Sequence, residues 1–320
     1  MAYAISLLPI SFVVGLLWGP WLIRRLILLK IVKNIRLDGQ EMHLAKQGTP
    51  TMGGWLFVLT SVAVIAALVR DPRVVIPIGG GMLAFAAFGA LDDYANLKNR
   101  EGMGFRVKAQ LFWQLLLALA IGAALYGLFG VDTIRLPLFG VMSIGIWMVP
   151  FAALTILATT SGANLIDGLD GLAAGSMAFA FVAYLVIAAW RGDFALAGAC
   201  AALVGSMMAF LWFNVNPARI FMGGTGALAL GAGLATVALL SGEVLLLPII
   251  AFLLIAEIAS VIIQVAYFRS TGGKRFFRRA PIHHHFELLG FKEVNVVFRF
   301  WLIAAVCAAL GLVVAGIYIL

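Results

Sequence analysis

The sequence predicts an all-α integral membrane protein with about ten transmembrane helices. Of its 320 residues, 63% are hydrophobic and only 11% are charged, whereas soluble domains have about 45–50% apolar and about 25% charged residues. A soluble fold would therefore lack polar residues to cover its surface. Apolar runs close to the roughly 20 residues that cross a bilayer recur along the whole chain, so residues 1–320 are predicted to form a single polytopic membrane domain.

Ten such runs mark the predicted spans. The first has no basic stretch before it and no small-residue cleavage site after it, which favours a span over a cleaved signal peptide. The predicted spans lie near residues 3–23, 52–69, 74–91, 110–130, 141–160, 172–190, 194–213, 226–241, 244–267 and 299–320.

The distribution of Lys and Arg predicts the orientation. With ten spans, both termini lie on one side, and the connections on the other side and their flanks hold 18 of the 22 basic residues. The termini's side holds Arg70, Arg73, Arg135 and Arg191. Basic residues concentrate in cytoplasmic loops, so both termini are predicted to be extracytoplasmic and the active site to lie on the cytoplasmic face. This bias explains the net charge of +8 without a nucleic-acid partner.

Two polar motifs carry paired carboxylates. Asp92 and Asp93 end the third predicted span, where they are costly unless a cation or a donor satisfies them. Oxygen ligands of this kind suit Mg²⁺, and the alternative is a solvated helix terminus. Asn164, Asp167 and Asp170 lie between spans five and six. On a helical turn the two aspartates would face one way; alternatively Asp170 is a helix N-cap.

Two further motifs suit phosphate. The segment 46–54 holds Lys46 and Thr51 together with flexible glycines, but lacks the spacing of a Walker A loop. The segment 221–227 opens span eight with glycines whose backbone N–H groups would favour an anion. The alternatives are an ordinary loop for the first segment and close helix packing for the second.

The long ninth connection carries His283, His284 and His285 after three arginines. Three successive histidines cannot face one way on a helix, whereas a loop could aim two of them at one ligand. Zinc would need further ligands with suitable spacing, so phosphate is the better candidate, with a basic loop beside anionic lipid as the alternative. Glu257 and Gln264 share one face of span nine; a site role is predicted more strongly for Gln264.

These motifs, in this order and spacing, resemble those of the bacterial phospho-N-acetylmuramoyl-pentapeptide transferases. The resemblance extends from Gly19 to Trp301. It implies transfer of phospho-N-acetylmuramoyl-pentapeptide from its UDP conjugate to undecaprenyl phosphate, giving lipid I and UMP with Mg²⁺ as cofactor. It also implies a homodimer in the bacterial cytoplasmic membrane.

The resemblance also implies the site residues. Asp92 and Asp93 would bind Mg²⁺ and act on the lipid phosphate, with His284 as a third catalytic residue. The residues that would bind substrate are Lys46, Thr51, Lys108, Asn164, Asp167, Asp170, Phe221, Gln264, His283 and His285.

One position departs from the family pattern. Where the family carries an Asp that binds Mg²⁺, this sequence has Gly224, and the following family Ser is Ala227. The metal is then expected to be held more weakly, by Asp92, Asp93, water and substrate phosphates. A structural alternative is that Gly224 is needed for a positive φ before the helix.

Three other functions remain open at this point. A related polyprenyl-phosphate N-acetylhexosamine-1-phosphate transferase would share the Asp pair, but the His triplet disfavours it. A transporter would show broken helices at midplane and symmetric halves, whereas the polar motifs cluster at one face. A catalytically impaired homologue is supported only by Gly224.

Overall fold

The computed structural model describes residues 1–32, 48–98, 104–137 and 139–320. Within these ranges, nine helices are long and apolar enough to span a membrane. A shorter apolar helix covers Trp55–Val69, of which Ile65–Val69 is a π-helical turn. The ten predicted spans therefore correspond to nine long helices and one short one. The helices are α1 (Ala2–Leu28), α2 (Trp55–Val64), α3 (Pro72–Lys98), α4 (Val107–Gly127), α5 (Met148–Ile166), α6 (Leu172–Trp190), α7 (Phe194–Asn214), α8 (Gly223–Ser241), α9 (Leu247–Ile250), α10 (Phe252–Ser270), α11 (Ile282–Leu288) and α12 (Glu293–Ile319).

Helix α8 lies at the centre of the bundle and packs against α3 and α5, while α7 packs against α1 and α6. Its most apolar window is 83% buried, compared with 22% for the corresponding windows of α4, α10 and α12. Small residues allow α8 to lie very close to its neighbouring helices, as in membrane bundles generally. A Cβ at Gly231 of α8 would lie 2.5 Å from the Cα of Thr160 in α5.

Two predicted spans differ from the structure. Span five was expected to begin at 141, but residues 140–143 form the second strand of an antiparallel hairpin, β1 (Thr133–Leu136) and β2 (Gly140–Ser143), and the helix begins after it. Span nine was expected to be continuous over 244–267. It is divided into α9 and α10 by Ala251, whose φ and ψ are not helical, and Pro248 lies in the first turn of α9, a position that proline favours.

We define the hairpin end of the bundle as the end that carries β1, β2, Arg191 and Glu243. Glu243 is fully buried, and its carboxylate pairs with Arg191 and, at 3.2 Å, with the Nε of Arg135 in β1. The hydroxyl of Tyr318 in α12 donates to the same carboxylate. One side chain therefore joins the hairpin, the α6–α7 turn and the end of α12.

We expect Glu243→Gln to destabilise the protein, because it leaves two arginines without their counter-charge. The free energy of unfolding should fall by about 3 kcal/mol. This is the low end for a broken buried ion pair, because both arginines are partly exposed. The matched control is Asp71→Asn, which removes an exposed pair with Arg73 and should cost less than about 1 kcal/mol. Thermal inactivation of the detergent-solubilised protein, followed by size-exclusion chromatography, measures both. Equal midpoints for the two variants would contradict a stabilising role for Glu243.

Candidate active site

Two of the predicted motifs are joined through their backbones. The N–H of Phe221 donates to the carbonyl of Pro50 at 2.8 Å, and the N–H groups of Gly53 and Gly54 donate to Phe221 and Met222 at 2.8 and 3.0 Å. A Cβ at Gly54 would overlap the backbone of Gly226, so glycine is required for this approach. The start of α2 and the start of α8 therefore form one unit. Lys46, the charged member of this motif, lies outside the described residues.

Asp93 brings the end of α3 to the same place. Its carboxylate accepts hydrogen bonds from the N–H of Gly224 and the N–H of Thr225, both at 3.0 Å, and from the Thr225 hydroxyl at 2.7 Å. The first N–H groups of a helix have no partner within it and carry partial positive charge. A carboxylate of α3 therefore caps α8.

Gly223 lies between Asp93 and Thr51. Its φ of 71° is in the left-handed region, which glycine adopts without strain. A Cβ at this residue would lie 2.5 Å from Asp93 Oδ2 and 2.9 Å from the Thr51 hydroxyl. The predicted site residues Thr51 and Asp93 therefore converge on this glycine, at what we call the motif end of the bundle.

The positive-φ explanation of Gly224 is wrong, because Gly223 and not Gly224 has the positive φ. A Cβ at Gly224 would meet Asp93 Oδ1 at 3.4 Å and the Gly89 carbonyl at 3.6 Å, which are ordinary contacts. A Cβ therefore fits at position 224 and would lie beside the Asp93 carboxylate.

Asp92 points to a different partner. Its Oδ1 accepts from the N–H of Phe105 at 2.6 Å, so the segment that leads into α4 is tied to the end of α3. A Cβ at Gly104 would lie 2.5 Å from the same oxygen. Lys108 is exposed in the first turn of α4. The adjacent aspartates thus contact separate segments of the chain.

The motif between α5 and α6 is a non-helical turn. Helix α5 ends at Ile166 and α6 begins at Leu172, so Asp167 and Asp170 do not share a helical turn as predicted. Asn164 and Asp167 are half-buried. The N-cap of α6 is Gly171, and the N-cap interpretation of Asp170 is wrong.

Asp170, which is buried, instead belongs to a hydrogen-bond network that extends to the surface. Its Oδ2 accepts from Asn216 Nδ2 at 3.1 Å and from the N–H of Ala218 at 3.2 Å, while its own N–H donates to Glu293 at 2.8 Å. These bonds fix the α5–α6 turn against the α7–α8 connection and the start of α12. Asp170 therefore holds the turn in place through both its carboxylate and its backbone N–H.

Asn214 was missed by sequence reasoning. At the end of α7 it is buried, accepts from the N–H of Gly171 at 3.0 Å and donates to the carbonyl of Ile220 at 2.8 Å. It links the α5–α6 turn to the residue that precedes the half-buried Phe221. A polar residue at the end of an apolar span was the available signal.

The His triplet lies on the short helix α11, not on a loop as expected. His283 is fully buried, and its Nδ1 lies 3.0 Å from Glu257 Oε1. Glu257 Oε2 accepts from the N–H of Ile282 at 3.0 Å. A Cβ at Gly168 would overlap the other ring nitrogen of His283. Glu257, for which a weaker role was expected, therefore anchors α11 on α10 and aims His283 at the α5–α6 turn.

The other two histidines have separate partners. Nδ1 of His284 lies 2.6 Å from Glu287 Oε2. Burial lowers the pKa of His284, and the hydrogen bond to Glu287 opposes this only in part, so the ring is neutral at pH 7. His285 Nδ1 accepts from the N–H of Arg278 at 3.1 Å. The carboxamide of Gln264 accepts from the N–H of Phe277 at 2.8 Å and so holds the connection on α10.

The donors at the motif end meet the requirements of Mg²⁺ only in part. Within the described ranges, no group of three or more His, Cys, Asp and Glu side chains is arranged to hold a metal. Asp92 and Asp93 are adjacent carboxylates, and Mg²⁺ is often bound by one or two carboxylates together with substrate phosphates and water. The residues present therefore fit an ion shared with a phosphate ligand, and not a cage built of protein alone.

Comparisons with known proteins give the chain's relationships. Residues 75–242 match the family described as glycosyl transferase family 4. A phospho-N-acetylmuramoyl-pentapeptide-transferase of Heliobacterium modesticaldum is 43% identical over 96% of this chain and 96% of its own length. Proteins with the same name from Chloroflexus aurantiacus and Desulforapulum autotrophicum are 41% and 39% identical, over 99% and 94% of this chain and 91% and 89% of their own lengths.

These matches cover the spans and every motif described above, at identities far beyond what a shared fold requires. The chain belongs to glycosyl transferase family 4, in its branch of phospho-N-acetylmuramoyl-pentapeptide transferases.

Proposed function

We propose that the protein transfers phospho-N-acetylmuramoyl-pentapeptide from its UDP conjugate to undecaprenyl phosphate, giving lipid I and UMP. The observation that carries this proposal is the meeting of Asp93 with the glycine-rich start of α8, because this joins two adjacent carboxylates, Asp92 and Asp93, with backbone donors at one end of an apolar bundle. Such a place suits a phosphate-bearing lipid and a soluble nucleotide. The relatives' names support the same substrates.

In this reaction an oxygen of the lipid phosphate attacks the β-phosphorus of the nucleotide. The bond from that phosphorus to the bridging oxygen breaks, and UMP leaves with the electron pair. Phosphoryl transfer depends mainly on positioning and on neutralising charge in the transition state. The chain therefore has to hold two phosphate groups in line and exclude water.

Asp92 and Asp93 divide this work. Asp93 is committed to the α8 N-terminus by three hydrogen bonds, so it positions the Gly223–Thr225 backbone. Asp92 is half-buried, and it is our candidate to orient the lipid phosphate and accept its proton. Mg²⁺, held by Asp92, Asp93 and substrate phosphates, would supply charge neutralisation at the reacting phosphoryl group.

The remaining predicted residues surround the nucleotide and the sugar. Asn164, Asp167 and Phe221 lie on the two segments that Asn214 joins, and they would bind the nucleotide end. His284, neutral and donating through Nδ1 to Glu287, would present the lone pair of Nε2 and could accept a proton there. Gln264, His283 and His285 keep α11 in place beside the bound sugar and diphosphate. Lys46 and Lys108 would add positive charge.

We propose that the motif end faces the cytoplasm of a bacterial cell and that the protein lies in the cytoplasmic membrane, on the strength of the Lys and Arg distribution. The association of two copies, implied by the family resemblance, stays a prediction.

Turnover with purified protein tests the proposed reaction. We expect lipid I and UMP from UDP-N-acetylmuramoyl-pentapeptide and undecaprenyl phosphate, and loss of product when EDTA removes divalent ions. UDP-N-acetylglucosamine in the same assay is the control substrate for the related N-acetylhexosamine-1-phosphate transferases. Faster turnover of UDP-N-acetylglucosamine would overturn the proposal in favour of that related activity.

Substitutions of Asp92 and Asp93 are expected to have different effects on turnover and stability. Asp92→Asn should lower kcat by about 100-fold or more, typical of a lost general base, with unchanged thermal stability. Asp93→Asn should lower kcat and also stability by about 2 kcal/mol, because the amide replaces an ionised acceptor of three hydrogen bonds. Turnover and thermal inactivation are measured together. Near-parent turnover in both variants would make the pair purely structural.

Gly224→Asp tests the missing metal ligand. A Cβ has room at this position and an acidic residue is favoured in the first turn of a helix, so we expect the variant to fold. If the parent is limited by weak Mg²⁺ binding, turnover should rise by about 100-fold and the Mg²⁺ concentration for half-maximal rate should fall. Gly224→Asn, with the same shape and no charge, is the matched control. Equal Mg²⁺ dependence in the Asp and Asn variants would contradict the missing-ligand interpretation.

A further inference from the structure

A basic cavity lies between the C-terminal half of α10 and the connection that leads to α11. It has a volume of about 590 Å³. Its lining includes four arginines, Arg269, Arg275, Arg278 and Arg279, and none of its lining residues is acidic. Of the site residues discussed above, only Gln264 reaches this cavity. The cavity is therefore a feature additional to the Asp pair and the His helix.

The four guanidinium groups have no carboxylate partner among the described residues. Arg278 is held in place by donating to the Leu288 carbonyl at 2.6 Å, and Arg275 reaches the carbonyl of Arg278 at 3.5 Å. Bonds to neutral carbonyls orient these side chains without cancelling their charge. Four like charges around one cavity repel each other, and a bound anion would relieve that repulsion. Guanidinium groups bind phosphate oxygens in pairs, with better geometry than ammonium groups.

The wall formed by α10 is apolar and exposed. Val265 and Phe268, which line the cavity, are 43% and 47% exposed. The neighbouring Ile262 and Phe276 are 62% and 58% exposed. No other segment of the described part of the chain covers this apolar surface. In a membrane it is therefore in contact with lipid acyl chains. The cavity therefore combines phosphate-binding groups with a continuous hydrocarbon-facing wall.

We propose that this cavity binds the headgroup of an acidic bilayer phospholipid, with its acyl chains along α10. The arginines would contact the phosphate, and Val265 and Phe268 the first methylene groups. Basic cavities at the boundary of membrane helices bind acidic lipids in this way. A bound lipid would join the end of α10 to the connection that carries the His helix, and would thus stabilise the arrangement of α11. This site does not depend on the reaction proposed above.

Lipid binding to the intact protein tests the proposal. The protein in a zwitterionic detergent is titrated with phosphatidylglycerol or phosphatidylcholine of identical acyl chains, and bound lipid is counted by native mass spectrometry. The test variant is Arg269→Gln/Arg275→Gln. The control variant Arg24→Gln/Arg25→Gln removes the same charge from exposed positions of α1. Parent and control should retain phosphatidylglycerol at lipid concentrations about tenfold lower than phosphatidylcholine. The test variant should lose this preference.

Several outcomes would overturn the proposal. Equal retention of the two lipids by the parent would show no site for an acidic headgroup, and equal loss in both variants would show attraction by surface charge alone. Displacement of phosphatidylglycerol by undecaprenyl phosphate or by the UDP-linked substrate would assign the cavity to the reaction. Each protein is first checked for a monodisperse elution peak. If the double variant fails this check, Arg269→Gln alone is used, and unchanged lipid preference in it contradicts the proposal. Because binding is measured without turnover, this result is independent of the proposed reaction.

Discussion

The architecture of the motif end depends on the capping of α8 by Asp93. The first N–H groups of a helix have no partner within the helix, and at the start of α8 the partner is a carboxylate from another span. The contact requires α3 and α8 to meet almost without side chains, since a Cβ at Gly89 would overlap the backbone of Gly224. The same contact sets the position of Thr51 and of the residues paired with Phe221. Loss of this one interaction would therefore disturb three motifs together.

A second constraint links the nucleotide side to the histidines. Asn214 joins Gly171 to Ile220, and His283 packs against Gly168 at the other end of the same turn. The turn between α5 and α6 is thus held from both sides, and Asp170 fixes it to α12 through Glu293. Because these are long-range bonds between connections, the site is shaped by segments far apart in sequence. A change in any one of them acts on the site through the turn.

The sequence was sufficient to predict the spans, because hydropathy over about 20 residues is a strong signal. The same signal does not reveal a four-residue strand, so the hairpin around Gly140 was missed. A break such as the one at Ala251 is also invisible to hydropathy, because both sides of it are apolar. The Asp pair and the His helix were identified as polar residues in an apolar chain. Their partners, such as Glu257 for His283, depend on contacts between helices that a single sequence does not encode in any local pattern.

The ion pairs at the hairpin end have a consequence for how the protein enters the membrane. Three of the four arginines on the predicted extracytoplasmic side, Arg73, Arg135 and Arg191, are paired with carboxylates in the folded protein. Asp71 and Arg73 are neighbours and emerge together, whereas Glu243 is made about 50 residues after Arg191. In the orientation that the Lys and Arg distribution predicts, Arg135 and Arg191 are translocated before Glu243 has been made, and their unpaired charges oppose that orientation. Once α8 and the following residues are inserted, Glu243 neutralises both. If the predicted orientation holds, this late pairing makes the topology harder to reverse after synthesis than during it.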